Sequence, residues 1–176
     1  MNITSFFRAM ARAAVATLLV ASAGAALAYD WADGFSLQKK EGDEYALIVS
    51  PYTRHFTYDP KHAHVWLVGI ERERADKSLA GIAFFNNSFG QPSTYIFPWG
   101  MTFHELLGQP QLYAKVTAGL LYGYRGEYKN KVPFNYEGFS PAIVPAIGWE
   151  LGDGFQLQAN LLGFNGMMFQ VTMPLK

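Results

Sequence analysis

Apolar and polar residues alternate along much of this chain with the two-residue period of β-strands. The clearest case is the segment 155–164, in which one face is apolar and the other carries amides. Its two faces are Phe155, Leu157, Ala159 and Leu161, and Gln156, Gln158 and Asn160. Turn residues separate eight segments that are predicted as strands: 47–58, 64–73, 78–89, 93–104, 111–123, 139–150, 154–163 and 166–175.

An even number of alternating segments of this length predicts an all-β fold, an eight-stranded antiparallel transmembrane β-barrel. In lipid, every backbone polar group must be paired within the protein, and a closed barrel achieves this because it has no edge. The competing interpretation is a soluble barrel or sandwich whose apolar face is its core. Small and apolar residues on the expected inner face, such as Gly119, Leu121 and Leu162, favour a lumen that holds a hydrocarbon chain.

The beginning of the chain is typical of an export signal. Arg8 and Arg12 precede an apolar stretch at 13–20, and small residues at 26–28 offer a cleavage site. Residues 1–28 are therefore predicted to be a signal peptide, and residues 29–176 to form the barrel domain. For residues 29–46 two interpretations stay open, a short N-terminal amphipathic helix against the inner membrane face and disorder.

The composition narrows the classes of partner and cofactor. The chain has no cysteine, which excludes disulfides and thiolate zinc sites. Its 14 basic and 14 acidic residues cancel, which argues against a nucleic-acid partner. The 14 Phe, 10 Tyr and 4 Trp residues fit a large core or an interface with lipid. No metal and no soluble cofactor are expected.

The predicted topology brings a histidine and a serine to the same rim. If both termini lie on the periplasmic side, the connections 59–63, 90–92, 124–138 and 163–166 face outward, and so do His55 and Ser88. Histidine titrates near neutrality, so His55 is predicted as a general base. Ser88 is predicted as a nucleophile, or as a hydroxyl that polarises an ester carbonyl together with the Asn87 amide. The alternative is that Asn87 and Ser88 only cap the strand and bond the turn.

Four further residues are candidates for an acyl pocket and its entrance. Pro141 and Pro145 lie inside a strand-like run, where proline removes ladder hydrogen bonds. They predict a local interruption of pairing that opens toward the bilayer, unless the segment is a loop. Tyr95 and Trp99 are predicted on one face of the fourth strand, where they would floor the pocket, or else belong to an aromatic girdle at the membrane boundary.

Three segments, 52–59, 84–89 and 140–145, resemble in this order the lipid A palmitoyltransferases of Gram-negative outer membranes. The resemblance spans nearly the whole mature chain. It implies an eight-stranded barrel that holds an acyl chain in its lumen and moves palmitate from a phospholipid to lipid A. The family's catalytic serine corresponds to Ser88, and Asn87 stands at its aspartate position. Thr53 stands at the family's histidine position, and His55 lies two residues later on the same face.

The resulting hypothesis is an acyltransferase of the Gram-negative outer membrane that works as a monomer. Its acyl donor would be a phospholipid and its acceptor lipid A. The alternative is a non-catalytic eight-stranded outer-membrane barrel that binds lipid or serves a structural purpose. A lipid A deacylase of the same architecture is disfavoured, because the His-Ser arrangement expected near the last strand is absent from the sequence.

Overall fold

The computed structural model describes residues 40–175, which form a closed antiparallel barrel. Its eight strands are β1 (Glu44–His55), β2 (Leu67–Glu73), β3 (Leu79–Asn86), β4 (Pro92–Phe103), β5 (Leu112–Tyr122), β6 (Phe139–Gly152), β7 (Phe155–Leu162) and β8 (Gly166–Leu175). Each strand pairs with its neighbours in the sequence, and β1 closes the barrel against β8. The prediction of an all-β, eight-stranded antiparallel barrel is confirmed. The predicted signal peptide at 1–28 and the segment 29–39 lie outside the described residues. The expectation of a helix or disorder up to residue 46 is wrong for 44–46, because β1 begins at Glu44 and these residues pair with β2 and β8.

The predicted strand boundaries differ most from the structure at one end of the barrel. There β1 ends at His55 rather than 58, β2 begins at Leu67 rather than 64, and β3 ends at Asn86 rather than 89. Side chains build turns at these places: Asp59 Oδ1 accepts a hydrogen bond from the backbone of Lys61. Such turns compete with the strand ladder for backbone groups.

The connections at this end, which we call the outer end, are 56–66, 87–91, 123–138 and 163–165. The longest contains a short 3₁₀ helix, Gly126–Lys131, and a second one, Leu106–Gly108, lies at the opposite, inner end. No helix within residues 40–175 has the length and apolarity needed to cross a membrane. The two longest connections, 56–66 and 123–138, both lie at the outer end, as is usual in transmembrane barrels.

The outward surface of the barrel is apolar around its circumference. We call this surface the apolar belt, and its exposed members include Val68, Ile70, Phe84, Ile96, Leu120, Ile143, Ile147, Trp149, Leu157 and Phe169. On β1, the belt ends toward the outer end between Tyr52 and Arg54, both exposed. An exposed apolar surface of this extent is typical of a barrel surrounded by lipid and not by water.

The lumen differs between its two halves. Toward the outer end it is apolar, with a cluster formed by Ile48, Val65, Leu67, Ala83, Tyr95, Phe97 and Met168. Toward the inner end it is filled by polar side chains. Lys115 Nζ lies 2.6 Å from Glu71 Oε1, and both side chains are buried. A chain of hydrogen bonds runs beside them through Tyr113, Gln158, Asn160, Gln170 and Thr172.

The expectation that Tyr95 and Trp99 share a face of the fourth strand is wrong. A β-bulge between Ile96 and Trp99 shifts the register, so that Tyr95 opposes Leu121 whereas Trp99 opposes Ala118. Successive residues of β5 point to opposite sides, so the two aromatic residues do as well. Gly119 lies across from the bulge, and a Cβ atom there would come within 1.9 Å of the Ile96 carbonyl oxygen.

Strand pairing is interrupted in two places in the outer half of the barrel. Strand β6, which carries Pro141 and Pro145, pairs without a break with β5, so the segment is not a loop. On its other edge it pairs with β7 only from Ala146 toward the inner end. Similarly, β1 pairs with β2 only as far as Ser50, and the next residue is Pro51. Prolines, which cannot donate to a ladder, therefore lie beside both interruptions.

Candidate functional site

His55 and Ser88 meet at the outer end, as the topology predicts. His55 is the last residue of β1, and its Nε2 lies 2.7 Å from Ser88 Oγ in the turn after β3. The intervening strand β2 begins only at Leu67, so it does not separate the two side chains. The connection before β2 instead folds across the mouth, where the Ala63 backbone N–H donates to the Ser88 carbonyl at 2.8 Å.

The environment of His55 favours its neutral form. His55 follows Arg54 and thus lies beyond the apolar belt, outside the membrane-spanning part of β1. Partial burial lowers the pKa of His55 from its ordinary value of 6.5, and the neighbouring His62 lowers it further. The imidazole is therefore neutral at pH 7 and can accept a proton from a hydroxyl.

Asn87 is engaged in the turn that carries Ser88. Its side chain is buried, and its Oδ1 accepts hydrogen bonds from the backbone N–H groups of Phe89, at 2.9 Å, and Gln91, at 3.1 Å. This is the Asx-type geometry by which asparagine shapes turns. The group that would polarise an ester is Asn87 Nδ2, which donates to Gln91 Oε1 at 3.4 Å, and this role stays a prediction. Asn87 therefore bonds the turn, as the alternative interpretation of these two residues predicts. Ser88 does not, because its hydroxyl faces His55.

Two residues of the site were missed by sequence reasoning. The His62 ring stacks on the His55 ring, with centroids 3.9 Å apart and an angle of 28° between their planes. Tyr124, which follows β5, lies beside Ser88, and burial raises the pKa of this phenol. No spacing in the sequence signals these contacts, because they depend on how three outer connections fold over the mouth.

A cavity of about 270 Å³ descends into the lumen below the His55–Ser88 pair. Its walls are mostly apolar: Ile48, Val65, Leu67, Ala83, Phe85, Phe97, Leu121, Val144, Leu162 and Met168. Its floor is the polar inner half, with Glu71, Lys115, Gln158, Asn160 and Gln170.

Two of the four residues predicted for the acyl pocket line the cavity, and two do not. Tyr95 lines the wall, with its hydroxyl 3.2 Å from Thr117 Oγ1, and Pro141 lines the cavity near the outer end. Trp99 and Pro145 are not among the lining residues. Trp99 lies on the other face of the sheet because of the bulge in β4. Pro145 shares its face of β6 with Pro141, but it lies next to Ala146, where pairing with β7 begins, whereas Pro141 lies along the unpaired edge.

A second, shallower groove adjoins the same histidine from outside. It is lined by residues 55–60 and by His62, on the connection between β1 and β2. His55 therefore lies between the apolar cavity and a surface groove. Two molecules can reach one imidazole from different sides in this arrangement.

The chemistry available to this site is that of an imidazole–hydroxyl pair. A neutral histidine hydrogen-bonded to a serine can take a proton from a hydroxyl, and it can activate the serine itself toward an acyl group. Within residues 40–175, no three or more His, Asp or Glu side chains are arranged to hold a metal ion. The pair, its apolar cavity and the groove together suit acyl chemistry on a lipid.

Comparisons with known proteins identify the architecture but no family. No protein-family model matches the chain, and neither does any curated protein. A solved structure described as "De novo design of transmembrane beta-barrels" is similar to it, with a TM-score of 0.50 and 11% sequence identity. The match covers 79% of this chain and all of the designed one. This similarity shows a barrel of the transmembrane type and carries no information about activity.

Proposed function

We propose that the protein is an acyltransferase of the Gram-negative outer membrane. It moves a long, palmitate-like acyl chain from a phospholipid to lipid A. The observation that carries this proposal is the 2.7 Å contact between His55 Nε2 and Ser88 Oγ at the mouth of an apolar cavity. The apolar belt adds support, because it brings the mouth to the level of membrane lipids.

The transfer needs a base, an acyl ester and an acceptor hydroxyl. With the donor chain in the cavity, its ester carbonyl lies at the mouth beside His55 and Ser88. His55 Nε2 takes the proton of the acceptor hydroxyl, the acceptor oxygen bonds to the carbonyl carbon, and the donor C–O bond breaks. The departing oxygen then receives the proton from His55. In this direct transfer Ser88 donates a hydrogen bond to the carbonyl oxygen.

In the two-step alternative His55 first takes the Ser88 proton, the Ser88 oxygen bonds to the carbonyl carbon, and the donor oxygen leaves with that proton. The acceptor hydroxyl then gives its proton to His55, bonds to the carbonyl carbon and displaces the Ser88 oxygen, which takes the proton back.

The two interruptions in strand pairing give lipids a route from the bilayer to the lumen. They lie between β6 and β7 and between β1 and β2, both in the outer half. The first is next to Pro141, which lines the cavity, and the second is next to the groove at residues 55–60. We assign the cavity to the acyl donor and the groove to the acceptor.

The polar floor limits the length of the transferred chain. Lys115 and Glu71 are paired at 2.6 Å, and the amides beside them bond one another, so none of them needs a ligand. A methyl end pushed into this layer would separate hydrogen-bonded partners at a high cost. The chain therefore ends above the Lys115–Glu71 pair.

A second candidate function is a non-catalytic barrel that binds a lipid or serves a structural purpose. It is favoured by Asn87, which stands where the resembling family has an aspartate and whose amide is engaged in the turn. A lipid bound in the cavity would satisfy the same apolar walls without any transfer.

The two candidates differ in what happens to lipid A. Mass spectra are recorded on lipid A from Gram-negative cells that carry no copy of the gene, the wild-type gene, or the variants Ser88→Ala, His55→Ala and His64→Ala. We expect a long acyl group to be added by the wild type and by His64→Ala, a control on the same connection as His62 whose side chain lines neither the cavity nor the groove. Both site variants should lower the added fraction by about 10²-fold or more, because each removes a group that moves the proton.

The amount of folded barrel in the membrane is measured for every variant by its anomalous migration before and after boiling. An unchanged lipid A profile in cells with abundant folded wild-type barrel would refute the acyltransferase and leave the non-catalytic barrel.

A further inference from the structure

His62 stands out because it contacts His55 face to face while lying on a connection and not on a strand. The ring centroids are 3.9 Å apart, closer than in any other aromatic pair recorded within residues 40–175. The His62 ring also makes an edge-type contact with the Phe89 ring, with centroids 5.5 Å apart and planes at 63°. His62 is thus held between His55 and the turn that carries Ser88.

The backbone around His62 is fixed on both sides. Before it, the His62 N–H donates to the Asp59 carbonyl at 3.0 Å, and Asp59 Oδ1 accepts the Lys61 N–H at 3.0 Å. After it, the Ala63 N–H donates to the Ser88 carbonyl at 2.8 Å. A ring on so constrained a backbone can hold its neighbour in one orientation.

We propose that His62 is the positioning residue of the site, whose stacked ring holds the His55 imidazole with Nε2 toward Ser88. In Ser-His-Asp sites a carboxylate performs this orienting task. Here the residue beside Ser88 is Asn87, whose side chain is engaged in its own turn. The inference rests on the proposed acyl transfer for its kinetic consequence, whereas its effect on the titration of His55 can be measured without any transfer.

The charge of His62 also affects the protonation of His55. The connection that carries His62 also holds Asp59, which interacts electrostatically with His62, and Lys61. The connection at 123–138 brings four ionisable groups to the same end: Tyr124 beside Ser88, Tyr128 on the Phe89 ring, Glu127 and Lys131. Lys61 pairs with Glu127 at 3.5 Å and Lys131 with Asp59 at 3.8 Å, so their charges largely cancel. Burial lowers the pKa of His55 most, and His62 is the neighbouring group that adds to this effect.

Two variants separate the ring from its charge. His62→Phe keeps a flat ring for stacking but removes the charge, and His62→Ala removes both. His64→Ala is the control, on the same connection. We expect His62→Ala to lower kcat for acyl transfer by about 10²-fold with little change in KM, because the base is misplaced. His62→Phe should keep most of kcat while the acid limb of the kcat/KM profile moves to higher pH, since the pKa of His55 rises.

A titration by NMR tests the same contact without relying on turnover. In the whole barrel in detergent micelles, with isotope-labelled histidine, the His55 imidazole should titrate at higher pH in His62→Phe than in the wild type and in His64→Ala. If wild-type protein transfers no acyl group, the proposed function fails and this titration still decides the role of His62. Wild-type kcat in His62→Ala, or a His55 titration that neither His62 variant changes, would overturn the inference.

Discussion

Asn87 and Ser88 are adjacent in the chain, yet their side chains have different tasks. Strand β3 ends at Asn86, so the usual alternation of faces no longer applies to the two residues that follow. The Asn87 oxygen accepts two backbone hydrogen bonds inside the turn, while the Ser88 hydroxyl bonds His55. The position of the candidate nucleophile therefore depends on the asparagine before it.

Replacing Asn87 tests this dependence. Asn87→Ala leaves the N–H groups of Phe89 and Gln91 without their acceptor, so we expect a loss of about 1–3 kcal/mol in the free energy of unfolding. Asn87→Asp keeps an oxygen in the same place and should retain most of the stability. Urea unfolding of the barrel in detergent measures both. Equal stability of Asn87→Ala and wild type would show that the turn does not need this side chain.

Among the strands, register decides which side chains reach the lumen. The bulge in β4 places Tyr95 and Trp99 on opposite faces of the sheet, although the two residues are four apart in the sequence. Opposite it, Gly119 leaves room for the Ile96 carbonyl. Further in, β2 and β5 contribute the buried Glu71 and Lys115 to the floor of the cavity. Cross-strand contacts of this kind connect elements that are distant in the chain.

The Lys115–Glu71 pair should be strongly coupled in stability. Lys115→Met leaves Glu71 buried without its cation, so we expect a loss of about 3–5 kcal/mol in the free energy of unfolding. The double variant Lys115→Met with Glu71→Met should cost much less than the sum of the two single variants. A double-mutant cycle of urea unfolding in detergent measures the coupling. Strict additivity would mean that the two groups do not interact across the lumen.

As a whole, the barrel has an apolar surface and a lumen that is polar in its inner half. This is the reverse of a water-soluble barrel, in which the apolar residues point inward. Exposed apolar residues occur on most strands, and Arg54 stands at the outer limit of the apolar belt on β1. The hydrocarbon of a bilayer replaces water along this surface, so the barrel needs no apolar core throughout its length.

The cost of an arginine substitution in folding free energy shows whether an exposed position faces lipid or water. Ile147 is an exposed residue of the apolar belt that does not line the cavity, and Ile147→Arg should cost about 2–4 kcal/mol in the free energy of folding into lipid vesicles. Phe164 is more exposed still, at 98%, but it lies in the outer turn between β7 and β8. Phe164→Arg should therefore change the folding free energy little. Equal effects of the two substitutions would contradict a belt embedded in lipid.

The sequence predicted those features of the fold that depend on residues close together in the chain. Alternation and turn residues act over a few neighbours, so they located all eight strands, with errors of up to three residues at the outer ends. The order of antiparallel strands then placed His55 and Ser88 at one rim. The bulge at Trp99 escaped because a single extra residue leaves no mark in the alternation.

By itself, the sequence determined that the chain forms a closed antiparallel barrel and that a histidine and a serine lie at its outer end. These properties follow from local patterns and from the rule that neighbouring strands pair. The tertiary structure decided the rest: the stacking of His62 on His55, the contact of Tyr124 with Ser88, the engagement of Asn87 and the polar floor of the cavity. Each of these joins residues far apart in the chain, and such contacts depend on loop folding and strand register, which no local pattern records.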